Sequence, residues 1–449
     1  MNGNGTRLNN KMPDINVQIK SIISKSLLLI ILFLYIYSIQ FFFIPFGLGS
    51  RVILAICGIV LYFIKQYSHL IKGKLSINKI NYIIGFLLIN IFVITIISLL
   101  YNCTHDYSFI KYPISILLIM FSAYFISFLF KKIYEKISFN LVANYIITVI
   151  FCQVILAALL FISPSFKNLL FSMLSLSDLD KMLINETGEF RLIGFGSYFF
   201  GAGITNSFAL ILITIILKKR KFNFNKFFLY ISVFFLILII GIMMSRTTII
   251  GGSISILIAL HKSKFMKFKI GDKLIYLFKS ILIFSILISS IIWILPSRLK
   301  DNLSLAMNFG FELAINYFES GELESASTDR LKEMYDVYPT SIKTYIIGDG
   351  HYIDPQNPES YYKHIDVGYL RLLYYFGIIG LLSYFVFQIV AIKLINDKLE
   401  RKYVSLFTSS VLLLLILNLK GFTDIFFLFY LFYFVNLKSV DDNRKLIKL

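Results

Sequence analysis

Apolar residues in this chain come in long, nearly unbroken runs separated by short polar segments. They seldom show the three-and-four-residue alternation of a helix lying on a soluble core. Windows of about 15–24 residues, the length that crosses a bilayer, fall at 25–44, 52–66, 80–100, 110–130, 140–163, 198–217, 227–244, 248–261, 274–295, 368–392, 403–419 and 424–437. The shortest, 248–261, borrows residues from its flanks. The pattern predicts an all-α integral membrane protein with about 12 transmembrane helices, forming a single polytopic domain over 1–449. Residues 1–23 are polar and the first apolar run, Lys25 to Phe46, is long enough to span by itself, so no cleavable signal peptide is expected.

Two connections, 164–197 and 297–367, are too long to be plain links, and long loops in compact folds are usually functional or disordered. The larger one contains an amphipathic stretch with Leu303, Ala306, Met307, Phe311, Ala314, Ile315 and Phe318 at helical spacing, suited to lying along a membrane surface. A second short helix is predicted to start near Ser327-Thr328-Asp329 and to stop before Pro339, and Gly348-Asp349-Gly350 reads as a turn. The inverted repeat that marks many secondary transporters is not seen.

Composition agrees with the pattern: 57% of the 449 residues are hydrophobic and only 15% are charged. Cys57, Cys103 and Cys152 show neither metal-site spacing nor an obvious disulfide pairing, and read as small hydrophobes. The net charge of +19 could suggest nucleic acid, but its distribution argues otherwise. The segments on one side of the predicted spans hold 29 of the 44 Lys and Arg residues, and those on the other side hold 14 cations and 18 of the 25 acids. By the positive-inside rule both termini are cytoplasmic and 297–367 is external.

The choice of cation also differs between the two sides. Arginine supplies 4 of the 29 inner cations but 6 of the 14 outer ones: Arg51, Arg191, Arg246, Arg298, Arg330 and Arg371. The planar guanidinium matches phosphate oxygens two at a time, whereas lysine acts as a point charge. A set of outer arginines therefore suits an anionic lipid head such as a polyprenyl pyrophosphate. For Arg51 and Arg298, contact with ordinary lipid or pairing with an outer acid is explanation enough. Arg246 lies in the tight hairpin Met244-Ser245-Arg246-Thr247-Thr248, where a charge is costly unless paired and where free N–H groups of the next helix could add to an anion site. Arg191 precedes Leu192-Ile193-Gly194-Phe195-Gly196 and a helix carrying Gly201, Gly203 and Asn206, in which glycine normally serves close helix packing. At the re-entry of the large loop, His364-Ile365-Asp366-Val367-Gly368-Tyr369-Leu370-Arg371 offers a carboxylate or imidazole to take a proton, and aromatic faces suited to sugars. An interfacial Asp366–Arg371 salt bridge beside a tyrosine belt would account for the same residues structurally.

The order of these motifs resembles the O-antigen polymerase and O-antigen ligase superfamily of bacterial envelope glycosyltransferases. The segment Asp366 to Gly380, Arg-Leu-Ile-Gly at 191–194, Ser-Arg-Thr at 245–247 and Arg330 ahead of Ile-Ile-Gly-Asp-Gly carry the resemblance. It implies a metal-independent, cofactor-free transfer in the bacterial inner membrane, with the site on the periplasmic face. The partners it implies are undecaprenyl-pyrophosphate-linked oligosaccharides, membrane lipids and a chain-length regulator protein. Ligases of the superfamily place a histidine ahead of the Gly-x-x-Gly pair at the position held here by Asp366, and His364 is two residues early. That departure favours a polymerase of O-antigen or capsule. Arg191, Arg246, Arg330 and Arg371 would bind pyrophosphate, Asp366 or His364 would act as the catalytic group, and Tyr369 would contact sugar. The alternatives are a ligase that moves finished chains to lipid A core and, from another class, a lipid-linked oligosaccharide flippase.

Overall fold

The structure is a computed structural model that describes residues 15–45, 48–71, 78–188, 190–219, 222–261, 275, 278–279, 281–283, 296–321, 324–399 and 403–435. Among these residues the regular structure is helical, with only isolated β-bridges between loops. Eight of the twelve windows return as helices long and apolar enough to cross a membrane, which makes this a multi-pass membrane protein. They are α1 (Ile15–Tyr37), α2 (Ser50–Leu70), α3 (Lys79–Asn102), α4 (Lys111–Ile133), α5 (Phe139–Ile162), α8 (Phe199–Lys219), α9 (Phe224–Met244) and α14 (Gly368–Lys398). Between α5 and α8 lie α6 (Pro164–Phe171) and α7 (Asp178–Thr187). Two windows form shorter apolar helices, α10 (Thr248–Leu260) and α15 (Val404–Asn418), and 274–295 lies almost wholly outside the described residues.

The last window, 424–437, departs most from expectation. It forms only one α-turn, α16 (Phe426–Phe429), and then tightens into a 3₁₀ segment, Tyr430–Phe434. A 3₁₀ winding eclipses side chains three apart, and here the Tyr430 and Tyr433 rings stack nearly parallel with centroids 5.1 Å apart. Aromatic stacking in a fully enclosed position thus favours the tighter winding.

Helix α8 is the axis of the bundle. From Ala202 to Lys218 every residue is buried, against α5, α9, α10 and α15. Glycine permits that closeness: a Cβ on Gly203 would stand 1.9 Å from Thr247 Oγ1, and one on Gly251 would stand 2.3 Å from Ser207 Cα. Gly201 faces open space, so of the two α8 glycines singled out in the sequence only Gly203 serves packing. Single charges at helix ends are used to satisfy carbonyls. Arg51 donates to Tyr35 O and Ile36 O at the end of α1, and Lys218 Nζ donates to Ile258 O and His261 O at the end of α10. Arg51 is thus a structural cap with its guanidinium over the Tyr35 and Phe427 rings, rather than a residue reaching for lipid.

The large loop forms α11 (Ser297–Ser320), α12 (Ala326–Asp336) and the short α13 (Ile342–Ile346). Helix α11 contains the expected amphipathic stretch, with Ala306 buried, Gly310 packed on Met243 of α9, and Met307 and Phe318 exposed. The N-cap of helix α12 is Ser325, two residues before Ser327. Ser325 and Thr328 cap each other reciprocally, side chain to backbone in both directions, a stronger arrangement than Ser327 could make.

The loop is fastened to the bundle where α14 breaks. Phe376 and Gly377 leave helical geometry, and Gly377 takes φ +66° with Ile346 O only 2.1 Å from where a Cβ would sit. Gly380 clears room for the Phe376 ring. The carbonyls freed by the break accept Asp349 N (2.6 Å, Tyr374 O) and Gly350 N (3.1 Å, Tyr375 O), while Ser98 Oγ also donates to Tyr375 O. The predicted Gly348-Asp349-Gly350 turn is present, with Gly348 and Gly350 both at positive φ.

Gly377→Ala should prevent stable insertion or sharply lower the yield of monodisperse protein, because φ +66° with ψ −169° is a conformation essentially confined to glycine, costing another residue about 1–3 kcal/mol, and a Cβ there would clash with backbone. Gly201→Ala, helical and facing open space, should be neutral or gain up to ~1 kcal/mol. Thermal melting in detergent followed by size-exclusion fluorescence checks both.

Candidate functional site

Four helix ends and the large loop meet at one end of the bundle. The C-terminus of α9 turns through Ser245-Arg246-Thr247 into α10, with Ser245 Oγ and Thr247 Oγ1 2.7 Å apart across the turn. The first N–H groups of α10 are already engaged: Thr248 N, Ile249 N and Ile250 N donate to the carbonyls of Ser245, Arg246 and Thr247. The helix start expected to bind an anion is therefore closed off, and the turn instead aims the Arg246 side chain outward. Its guanidinium lies 4.4 Å from the Phe309 ring centre and pairs with Glu312. It also donates to Phe309 O (2.8 Å), Ser325 Oγ (3.3 Å) and Ser327 Oγ (3.0 Å).

Arg191 shares the same aromatic ring. Its Cζ is 5.2 Å from the Phe309 centroid and 4.5 Å from that of Phe199, and its Nε donates to Met244 O at 2.7 Å. Phe199 opens α8 with φ +47°, a strained conformation for an aromatic residue, which sets its ring against the guanidinium. A third cation, Lys420, joins them from the turn after α15. Leu419 O accepts the Tyr335 hydroxyl of α12 at 2.6 Å, and Gly421 packs on the Phe200 ring, next to the Phe199 that carries Arg191. Burial and the adjacent Arg246 lower the Arg191 pKa to about 10. Burial, Arg246 and Arg191, in that order, lower that of Lys420. Each shift has the same meaning: cations are held close together, partly out of water, and stabilised by few acids. Lys420 was not singled out in the sequence because it reads there as one basic residue at the end of an apolar run. Glu312, Phe309 and Phe199 were likewise invisible, since only the fold brings them to Arg191 and Arg246.

Helix α12 runs from this cluster to the loop re-entry. Its N-terminal serines touch Arg246, and Met334 near its other end accepts from Asp366 N at 3.3 Å. Seven residues of helix separate Ser327 from Met334, about 10 Å of rise. Arg330 lies on the turn between them, within about 60° of the same face, and is exposed. Ile365 and Val367 are buried against Met334 and Tyr374, which leaves Asp366 partly exposed between them.

Arg371 does not pair with Asp366, so the interfacial salt bridge of the structural alternative is not formed. Its guanidinium instead lies 3.4 Å from the Tyr361 ring centre and 4.1 Å from that of Tyr352, with Nε buried and without a hydrogen-bond partner. Tyr361 is 41% exposed and is the aromatic face open at this locus. Tyr369 is braced inside, its hydroxyl on Leu415 O and its ring stacked on Phe385. His364 is exposed in a positive-φ turn with Lys363. Asp106, in the loop after α3, holds the segment from below, accepting Tyr352 N (2.7 Å) and Ile353 N (2.8 Å) on one oxygen and Ser108 on the other. The structure thus gathers Arg191 and Arg246 into one cluster, sets Arg330 and Asp366 along α12 from it, and leaves Arg371 in a separate tyrosine clasp.

Comparison with known proteins gives no match: no family model, curated protein or solved structure aligns with this chain.

Asp106→Asn should loosen segment 351–361, because an amide nitrogen would face N–H donors that now share a carboxylate. The expected cost is about 1–3 kcal/mol. Limited proteolysis should show faster cleavage within that segment while the bundle stays intact.

Proposed function

We propose that this chain is a membrane glycosyltransferase that polymerises undecaprenyl-pyrophosphate-linked oligosaccharide repeat units at the periplasmic face of the bacterial inner membrane. The observation that carries this reading is the convergence of Arg191 and Arg246 on the Phe309 ring, with Lys420 near enough for both guanidiniums to lower its pKa and Glu312 as the paired acid there among the described residues. Such a cluster is costly when empty and is relieved by a polyanion, and a pyrophosphate leaving group gains negative charge as its bond to sugar breaks. Arg191 offers a forked donor and Lys420 a point charge, while Arg246, whose Nε, Nη1 and Nη2 already engage Phe309 O, Ser325, Ser327 and Glu312, exchanges those partners for phosphate in this reading.

In this mechanism the acceptor hydroxyl oxygen bonds to the anomeric carbon of the donor chain. The bond from that carbon to the pyrophosphate oxygen breaks, and the electron pair leaves with the lipid pyrophosphate. Asp366 accepts the hydroxyl proton. Arg330, between Asp366 and the cation cluster on α12, steadies the departing phosphates. Tyr361 offers a ring face to sugar, backed by Arg371. The position where a ligase of the superfamily has its histidine is held by Asp366, with His364 two residues early, and this supports a polymerase over a ligase that depends on histidine. The flippase alternative gains no support from Arg51 and Lys218, whose charges cap helix carbonyls.

Arg246→Lys and Asp366→Asn should each shorten the polysaccharide ladder on gels at matched protein abundance, and His364→Ala should leave it long. Loss of a general base typically lowers rate by ~10²–10⁴-fold. Normal ladders from Asp366→Asn beside none from His364→Ala would move the chemistry to histidine. For orientation, single cysteines at Phe318 and Tyr338 should react with a membrane-impermeant maleimide in intact spheroplasts. Labelling only after lysis would place this loop in the cytoplasm and overturn the reading.

A further inference from the structure

A second cavity, of about 310 Å³, lies between α6 and α7, outside the Arg191–Arg246–Lys420 cluster. Lys167, Asn168, Ser172 and Lys181 give its wall two cations and two neutral hydrogen-bonding groups, apolar side chains including Leu174 and Ile184 complete it, and none of the lining residues is acidic. Lys167 is half-buried, its ammonium 6.0 Å from the Phe171 ring centre and 2.5 Å from where a Cβ on Gly188 would lie. Burial lowers its pKa, and no carboxylate among the described residues pairs with it. Asp180, at the start of α7, is engaged by Ser177 through both its backbone N–H and its carboxylate. Outside the cavity the two short helices turn apolar side chains outward: Phe166, Leu169 and Met173 on or just after α6, and Met182 on α7. The pocket is thus a basic, hydrogen-bonding recess edged by exposed hydrocarbon, the surface that a phosphate head on a lipid chain would require.

Its position gives the recess a use. The Phe171 ring that carries Lys167 lies 6.2 Å from the Tyr198 ring, Tyr198 lies 6.4 Å from Phe199, and Phe199 is the ring beneath Arg191. A single aromatic wall therefore separates two cationic recesses. A polymerisation joins two substrates that each carry a lipid phosphate, so it needs two such places.

We propose that the α6–α7 recess is a second anion site that holds the phosphate head of a membrane amphiphile through Lys167 and Lys181, on the far side of the Tyr198–Phe199 wall from Arg191. Resting on the function proposed above, its occupant in the reaction is the lipid-linked unit that is not cleaved, with an ordinary anionic phospholipid as the other source of the same chemistry.

The test counts bound lipid by native mass spectrometry of the full chain released from phosphatidylcholine nanodiscs, with geranylgeranyl pyrophosphate as probe and phosphatidylglycerol as competitor. The wild type should bind two probe molecules. Lys167→Gln/Lys181→Gln, which keeps side-chain length and removes charge, should lose one of them with at least a tenfold loss of affinity. Arg191→Gln/Arg246→Gln should lose the other. The molecule retained in each variant shows that it is folded. A lysine variant that still binds two, or binds none, overturns the second site. If the lysine variant loses one while the arginine variant keeps both, the recess stands and the arginine reading falls. Displacement of only the lysine-dependent molecule by phosphatidylglycerol identifies phospholipid as the occupant, and failure to displace it identifies the pyrophosphate lipid.

Discussion

The carbonyl groups of Tyr374 and Tyr375 would be ordinary members of a helix ladder if α14 were continuous. The break at Phe376-Gly377 frees them, and the backbone of Asp349-Gly350, together with Ser98 of α3, satisfies them instead. In a membrane protein this exchange is strongly constrained, because a freed backbone group near hydrocarbon must find another partner. The large loop is that partner. Asn102 and Thr104 add further bonds to Gly348 O and Gly350 O, and Tyr375 returns its hydroxyl to Asp106 O. The loop is therefore a continuation of the bundle's hydrogen-bond network, and the placement of α12, Asp366 and the tyrosine clasp of Arg371 follows from it.

Set on that frame, the cationic cluster is a region of stored electrostatic work. Guanidiniums are weakly hydrated and stack on rings, so Phe199 and Phe309 make it possible to hold two of them close together where water is scarce. The lowered pKa of Arg191 and that of Lys420 come first from burial and then from the neighbouring guanidinium charge. Arg51 and Lys218 show what happens to a charge in this fold when no such function is asked of it: it is spent on helix carbonyls.

Most of the helices were legible from apolar run length alone, since a bilayer demands that length, and Arg191 and Arg246 were legible because cations on the acid-rich side are conspicuous. The misses have physical causes. Periodicity cannot reveal that Tyr430 and Tyr433 would stack and tighten their helix into a 3₁₀ turn. Nor can spacing show that Arg371 would choose Tyr361 over Asp366: Asp366 lies before the helix that carries Arg371, and Tyr361 reaches the guanidinium from the loop. The start of α10 looked open to an anion because its turn bonds are made by backbone, which has no sequence signature. Lys420 and Glu312 acquire meaning only through contacts with residues distant in the chain.

Helix α12 touches Arg246 through Ser325 and Ser327 at one end and Asp366 through Met334 at the other. Its ends are linked in phase as well as in distance. One inserted residue would lengthen it by only about 1.5 Å but would turn everything beyond it by about 100°. A carboxylate held by the far end would then face away from the cations. Length variation in this helix is therefore tolerable only by whole turns, so that α12 works as a gear tooth between the two halves of the site, and angle rather than reach is the quantity the fold must keep.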